Sequence, residues 1–188
     1  MNIAIFGGSF DPLHIGHEMI INKLSHLEYI NKLIVVPTYL NPFKKSYLIN
    51  PKDRYEILTH MYDVNPEILI SDFEIKRNEA TPSIITVEHF KSLYKAKKIY
   101  LVIGADNLKS LHLWDSFEKL KTLVEFIVVN RDGYEVKNDI IQFKTINMNI
   151  DISSTSLRDT LDIKYIPKKI QQKVNDIWNK ESTKSKKY

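Results

Sequence analysis

The chain has 188 residues, a length that suits one domain with a core of ordinary size. It contains no cysteine, which excludes disulfides, thiolate catalysis and cysteine-ligated metal sites. The formal net charge of +4 is a mild excess, and no apolar run approaches the ~20 residues that a membrane helix needs. Because the first residues enter a strand pattern instead of a basic and apolar leader, we expect a cytoplasmic protein.

Apolar, β-branched runs predict the strands. Four of them read as buried strands and cover residues 2–6, 32–37, 98–104 and 124–130. A fifth run, residues 67–75, predicts a short strand followed by an extended loop. The apolar residues of the first four are nearly continuous, which is typical of strands that are covered on both faces.

Helical patterns fall between these strands and near the end of the chain, over residues 16–27, 50–62, 86–95 and 166–178. In the second pattern, Asn50 suits an N-cap and Pro51 the first helical position. The spacing predicts apolar faces that include Met19 in the first helix and Leu93 in the third. Strands that alternate with helices indicate an α/β fold with a doubly wound, mostly parallel sheet and a helical C-terminus.

The domain organisation is simple, because no repeat, low-complexity segment or linker divides the chain. We expect a single domain over residues 1–180 and a basic, disordered tail over residues 181–188. The tail's lysines are the only sequence support for a nucleic-acid partner, which we do not expect, since such binding needs basic residues spread over a folded face. A homo-oligomer is left open.

Two glycines and two histidines crowd the segment FGGSFDPLHIGHE, residues 6–18, just after the first strand. In an open α/β sheet, ligands bind beyond the carboxyl ends of the strands. We interpret Gly7 and Gly8 as residues that let the backbone turn sharply and approach a ligand. If a helix begins near residue 13, His14 and His17 share one face of its N-terminal end, where unpaired N–H groups favour phosphate.

This segment can also be interpreted without a phosphate site. A glycine pair after a strand can be an ordinary turn, and a histidine is often a structural residue. His14 and His17 could also bind zinc, but no third ligand stands at motif spacing. Neither common phosphate loop, G-x-x-x-x-G-K-[ST] or G-x-G-x-x-G, is present. The complete combination of residues favours a phosphate site.

The stretch GGSFDPLHIGH resembles the signature of the nucleotidyltransferase superfamily with an H/T-x-G-H motif, which implies a Rossmann-like fold. A second stretch, ISSTSLR at residues 152–158, resembles the I-S-S-T-x-x-R sequence that opens a late helix and holds the ATP triphosphate in that superfamily. Hydroxyls at a helix start and an arginine that can fork onto phosphate oxygens suit this task. Class I aminoacyl-tRNA synthetases share HIGH, but they are much longer and carry a K-M-S-K-S loop.

Within the superfamily, residues 1–166 are most similar to the bacterial nicotinate-nucleotide adenylyltransferase family. The similarity includes VVPTYLNPFKK, SDFEIKRNEATPSIITVEHF, LVIGADNLKSLHLWDSFEKL and VVNRDGY. Three departures concern the substrate side. Phe43 replaces the family's histidine, Ile84 and Ile85 replace a tyrosine so that Thr86 best matches the family threonine, and Asp132 replaces a proline.

The resemblance implies roles for individual residues. The implied catalytic residues are His14 at the α-phosphate, His17 at the β/γ side, and Arg158. The implied ATP-binding residues are Gly7, Gly8, Ser9, Phe10, Gly104, Ser153, Ser154 and Thr155. The implied substrate-binding residues are Lys44, Thr86, Asp106, Trp114 and Arg131. Taken alone, Trp114 could be a core aromatic, Asp106 a helix N-cap and Lys44 a solvated loop lysine.

The implied reaction joins ATP to nicotinate mononucleotide, with Mg²⁺ held mainly by the substrate phosphates. The attacking phosphate oxygen is already ionised, so catalysis is positioning and charge neutralisation. We expect nearby phosphates to favour the imidazolium form of both histidines. Two alternatives stay open: an adenylyltransferase for nicotinamide mononucleotide or phosphopantetheine, and a non-catalytic nucleotide- or RNA-binding module.

Overall fold

The computed structural model describes residues 1–131, 139–148, 157 and 162–185. The strands are β1 Asn2–Gly8, β2 Lys32–Pro37, β3 Ile68–Ile70, β4 Lys98–Gly104, β5 Glu125–Arg131 and β6 Phe143–Met148. The α-helices are α1 Ile15–Ser25, α2 Pro51–Tyr62, α3 Phe73–Arg77, α4 Ser83–Tyr94, α5 Phe117–Leu123 and α6 Gln171–Ser185. Shorter 3₁₀ segments are Ala105–Leu113, Ile163–Tyr165 and Lys168–Ile170.

The strands form one sheet in the order β3-β2-β1-β4-β5-β6. Every described pair of neighbours is parallel, so the doubly wound fold is confirmed and the described sheet is parallel throughout. The chain runs outward from β1 to β3 and then returns to the other side of β1 with β4. This reversal opens a crevice at the carboxyl ends of β1 and β4, where Gly7, Gly8 and Gly104 lie.

Each face of the sheet carries its own apolar layer. Ala4 and Phe6 of β1 belong to the layer that contains buried residues of α1, α2 and α6. Ile3 and Ile5 of the same strand belong to the layer with α4, α5 and the segment Ala105–Leu113. Because successive side chains of a strand point to opposite faces, burial on both sides requires the nearly continuous apolar runs seen in the sequence.

The local signals at the helix ends act as expected in α2. The Asn50 side chain accepts a hydrogen bond from the Asp53 amide at 3.0 Å, and Pro51 occupies the first turn. In the described ranges, no helix has the length and apolar character required to cross a membrane.

Several expectations were wrong. The extended loop predicted after β3 is in fact the short helix α3. The strand β6 and the helix α5 were not predicted, because both are short and mix polar with apolar residues. The disordered tail was expected to begin at residue 181, but the backbone of α6 continues to Ser185. Once the earlier turns of a helix have formed, each further residue adds a hydrogen bond without the cost of nucleation, so the helix can extend into a polar segment.

Candidate active site

A cavity of about 540 Å³ lies at the carboxyl ends of β1 and β4. The residues predicted for the site that line it are Gly7, Gly8, Ser9, Phe10, His17, Lys44, Gly104, Asp106 and Trp114. These residues come from three separate parts of the sequence, and the reversal of strand order brings those parts to one edge of the sheet. The cavity is therefore the candidate active site.

The turn after β1 is built differently from the expectation. Gly7 and Gly8 are the last residues of the strand, and the left-handed residue of the turn is Phe10, with φ +47°. Gly8 has a packing role instead, because a Cβ there would lie 3.1 Å from the Phe10 ring. A Cβ on Gly7 would make only an ordinary contact, 4.0 Å from the carbonyl oxygen of Val36, so packing does not require glycine there.

His14 is the N-cap of α1. Its Nδ1 accepts hydrogen bonds from the amides of Gly16 at 3.1 Å and His17 at 3.4 Å, and the amide of His14 donates in return to Nδ1 of His17. This reciprocal pair is a capping box. The helix therefore begins at Ile15, one residue before the predicted pattern over residues 16–27 and two after the start near residue 13 that was considered for the histidines.

The caps define the chemical state of the two imidazoles. A nitrogen that accepts a hydrogen bond carries no proton, so each ring holds its proton at Nε2. The imidazolium form expected beside bound phosphates stays a prediction, and a proton on Nδ1 would compete with the cap hydrogen bonds. The His14 ring is buried and stacks on His17 with centroids 3.8 Å apart, and His17 lines the cavity.

The loop that carries Lys44 approaches the turn after β1. Nζ of Lys44 lies 3.3 Å from Oγ of Ser9, which joins a residue predicted for the substrate side to one predicted for ATP. The amides of Phe43 and Lys44 both donate to Asn41, through its side chain and its carbonyl. Phe43, the departure from the family pattern, is exposed and lines the same cavity.

Gly104 makes room for Asp106. A Cβ at Gly104 would collide with Oδ1 of Asp106, so glycine at the end of β4 permits the present carboxylate position. Asp106 does not cap the 3₁₀ segment with its side chain. Its exposed carboxylate instead lines the cavity, where it can accept hydrogen bonds from hydroxyl groups.

Trp114 follows the 3₁₀ segment and lines the cavity while it packs against the α4 and α5 layer. Among the described residues, its buried Nε1 has no hydrogen-bond partner. Because Trp114 lines the cavity, its ring is a candidate surface for stacking on a planar heterocycle.

Thr86 does not line the cavity and lies behind Glu74, a residue that the sequence analysis missed. The Thr86 hydroxyl donates to Oε1 of Glu74 at 2.5 Å, while Oε2 has no partner within the described chain. Glu74 is 4% exposed and reaches the cavity wall. Burial raises the pKa of its carboxyl to about 7, against a smaller opposing effect of the Thr86 hydrogen bond. The sequence signal that could have identified Glu74 is its place between two apolar residues, Phe73 and Ile75.

Several predicted residues lie outside the described residues: Ser153, Ser154, Thr155 and Arg158, together with the side chain of Arg131. Their roles stay predictions. Leu157 is described and is buried in the apolar layer that also contains Phe10 and Leu13.

Comparison with known proteins now defines the class. A family model described as cytidylyltransferase-like matches residues 5–160. The chain therefore belongs to the cytidylyltransferase-like family.

Individual relatives narrow the class of protein further. A probable nicotinate-nucleotide adenylyltransferase of Aliarcobacter butzleri is 48% identical, over 93% of this chain and 95% of that protein. A protein of the same name from Campylobacter fetus is 43% identical over 93% of this chain and 94% of its own length. A solved structure of Plasmodium falciparum nicotinic acid mononucleotide adenylyltransferase, complexed with NaAD, is 28% identical with a TM-score of 0.75 and covers 91% of this chain and 95% of its own. Within the family, the chain groups with the nicotinate-nucleotide adenylyltransferases, as the sequence predicted.

Proposed function

We propose that this nucleotidyltransferase transfers the adenylyl group of ATP to nicotinate mononucleotide, giving nicotinate adenine dinucleotide and pyrophosphate. One observation carries the proposal. The same cavity contains the ATP-side segment Gly7–Phe10 with His17 and the substrate-side residues Lys44, Asp106 and Trp114. The names of the curated relatives support nicotinate mononucleotide as the acceptor.

Each substrate group has a matching surface in the cavity. The Trp114 ring suits the electron-poor pyridine, and the Asp106 carboxylate suits ribose hydroxyls. Lys44 suits the acceptor phosphate. Because its Nζ lies 3.3 Å from the Ser9 hydroxyl, the acceptor phosphate would meet the α-phosphate of ATP close to Ser9. The Nε2–H group of His17 would donate to the triphosphate from the first turn of α1.

The reaction forms one bond and breaks one. An oxygen of the mononucleotide phosphate attacks the α-phosphorus of ATP, and the bond from that phosphorus to the bridging oxygen of the β-phosphate breaks to release pyrophosphate. The attacking oxygen is ionised at neutral pH, so no general base is needed. The protein must hold two anions in line and neutralise the charge that develops on the leaving group. Arg158, Ser154 and Thr155 are proposed to bind the triphosphate.

We propose that Mg²⁺ arrives with ATP. Among the side chains that the structure describes, in residues 1–130, 139–148 and 162–180, no group of three or more His, Asp or Glu is arranged to hold a metal ion. The phosphate oxygens would therefore supply most ligands, which suits the preference of this cation for hard oxygen donors. Bound in this way, Mg²⁺ lowers the negative charge that the two substrates present to each other.

A pyrophosphate-release assay tests the function. Purified protein is given ATP and Mg²⁺ with nicotinate mononucleotide, nicotinamide mononucleotide or phosphopantetheine. We expect the highest kcat/KM with nicotinate mononucleotide. Preference for another acceptor would overturn the assignment, and ATP binding without pyrophosphate release from any acceptor would indicate a non-catalytic module.

A variant of one cavity residue, Trp114→Leu, tests whether this cavity binds the mononucleotide. Trp114→Leu removes the ring that would stack on the pyridine but keeps an apolar side chain. We expect it to raise KM for the mononucleotide far more than KM for ATP. Equal effects on both substrates would contradict the placement of the pyridine on Trp114.

A further inference from the structure

Arg54 is a charged side chain in an interior position of α2. It is 1% exposed, and burial lowers the pKa of its guanidinium, with the Asp11 carboxylate acting in the opposite direction. Four of its N–H groups donate to backbone carbonyls over distances between 2.6 and 2.9 Å. The acceptors are the carbonyls of Ser9, Thr38, Tyr39 and Ile49.

These acceptors belong to two loops. We call residues 9–14, between β1 and α1, the His loop, and residues 38–49, between β2 and α2, the acceptor loop. Arg54 binds the His loop at Ser9 and holds both ends of the acceptor loop. One side chain thus bridges two segments that are separated in sequence and face the same cavity.

Asp11 makes the reciprocal connection. Its carboxylate, 2% exposed, belongs to the His loop and accepts the amides of Leu48 at 2.9 Å and Ile49 at 2.8 Å in the acceptor loop. A guanidinium that donates to both loops and a carboxylate that crosses between them form a buried clamp. Charged groups of this kind are costly to bury unless their hydrogen bonds are satisfied, and here the bonds described are made with the backbone of the two loops.

The two loops carry the groups that must meet in the reaction. The His loop ends at His14 and includes Ser9, while the acceptor loop carries Lys44, whose Nζ lies 3.3 Å from the Ser9 hydroxyl. The carbonyl of that same Ser9 accepts from Arg54 at 2.6 Å. A shift of the Arg54 guanidinium would therefore move Ser9 relative to Lys44.

We propose that Arg54, with Asp11, is a positioning residue for the transfer step, because it locks the His loop and the acceptor loop in one geometry before the substrates bind. The inference rests on the proposed function of this cavity. Displacement of reacting groups by about 1 Å can lower a rate by ~10²-fold, so the effect belongs in kcat. If Arg54 had only a structural role, its substitution would lower the stability of the fold and leave kcat unchanged.

The test compares three variants. Arg54→Lys keeps the charge but cannot reach acceptors that are spread around a planar fork. Asp11→Asn keeps the shape but removes one acceptor. Leu58→Ala is the matched control, because Leu58 is buried in the same helix and belongs to the apolar layer of α1, α2 and α6. The melting temperature of each variant is measured first, and kcat and both KM values are then measured well below the lowest of them.

We expect Arg54→Lys to lower kcat by about 10- to 100-fold with smaller changes in KM, while Leu58→Ala lowers the melting temperature and leaves kcat near that of the wild type. Equal kcat in Arg54→Lys and Leu58→Ala would overturn the proposal. If Arg54→Lys does not fold, Asp11→Asn decides in the same way: a kcat loss supports the clamp, and an unchanged kcat refutes it.

Hydrogen exchange separates this proposal from the proposed function. The amides of Phe43 and Lys44 donate to Asn41, which is not one of the substituted residues. We expect them to exchange faster in Arg54→Lys and Asp11→Asn than in Leu58→Ala. This can be measured even if the wild type does not turn over nicotinate mononucleotide, in which case only the function fails. Unchanged exchange would refute the coupling of the loops.

Discussion

His14 shows how one residue can serve the fold and the site together. The N-cap position needs a short side chain that accepts backbone N–H groups, and Nδ1 of His14 does this for Gly16 and His17. The H/T-x-G-H signature allows threonine at the same position, and threonine is also a good N-cap. Histidine and threonine therefore meet the same physical requirement at this position, which is to cap the N-terminus of α1.

Substitution of His17 tests the electrostatic role of the imidazole. We expect His17→Ala to lower kcat/KM by a transition-state loss of about 3–5 kcal/mol, as for the loss of a major charge-stabilising donor. Since His17 also closes the capping box, the alanine variant should lose about 1 kcal/mol of stability. Steady-state kinetics and urea unfolding measure the two effects.

His17→Gln is the matched control, because glutamine at this position can still accept the amide of His14. We expect it to keep the stability and to lose activity like the alanine variant. Near-normal turnover in either variant would contradict the role given to His17.

Glu74 makes the stability depend on pH. The pKa of its carboxyl is about 7 in the folded chain, above its ordinary value of 4.5, so the folded state binds the proton more tightly. The stabilisation is complete below about pH 4.5 and is lost as the pH rises through about 7. We expect the free energy of unfolding to fall over this window by on the order of 3 kcal/mol more in the wild type than in Glu74→Gln.

Urea unfolding at several pH values measures this difference. Glu67→Gln, at an exposed carboxylate, is the control and should follow the wild type. A gap between the wild type and Glu74→Gln that stays constant with pH would show that burial does not hold the proton on Glu74.

At the scale of the elements, continuous apolarity located the central strands well, but the pattern was less reliable for helix faces. Met19 and Leu93 were placed on apolar faces and are 42% and 60% exposed. A helix of about three turns offers several overlapping apolar stripes, and only contact with the sheet selects among them. In α1 the buried stripe is Ile20, Ile21 and Leu24. The edge strand β6 escaped prediction because its buried residues are few.

The junction of β4 with the 3₁₀ segment can be tested at Gly104. Its φ of −74° suits alanine, so Gly104→Ala should leave the stability unchanged or slightly higher. The added Cβ would collide with the Asp106 carboxylate, which would rotate away. We therefore expect a higher KM for the mononucleotide in the pyrophosphate-release assay. Unchanged KM would show that Asp106 does not contact the substrate.

At the scale of the whole molecule, α6 joins the core through Val174, which is fully buried in the layer shared with α1 and α2. The predicted single domain over residues 1–180 can be tested there. We expect Val174→Ala to cost about 2 kcal/mol and to lower the midpoint of one cooperative unfolding transition by about 4–8 °C. Calorimetry measures this, with Lys180→Ala on the exposed side of α6 as the control. A separate early transition would show that α6 unfolds independently.

The sequence by itself determined the α/β class, the positions of the central strands, the N-cap of α2 and the family, because these depend on local periodicity and on motifs of adjacent residues. It also identified several residues that line the cavity, among them His17, Lys44, Asp106 and Trp114. Only the tertiary structure decided that Phe10 makes the turn, that Thr86 lies behind Glu74, and that Arg54 joins two loops. Such roles depend on which backbone groups come within hydrogen-bond distance after the strands have been ordered, and the spacing along the chain does not contain that information.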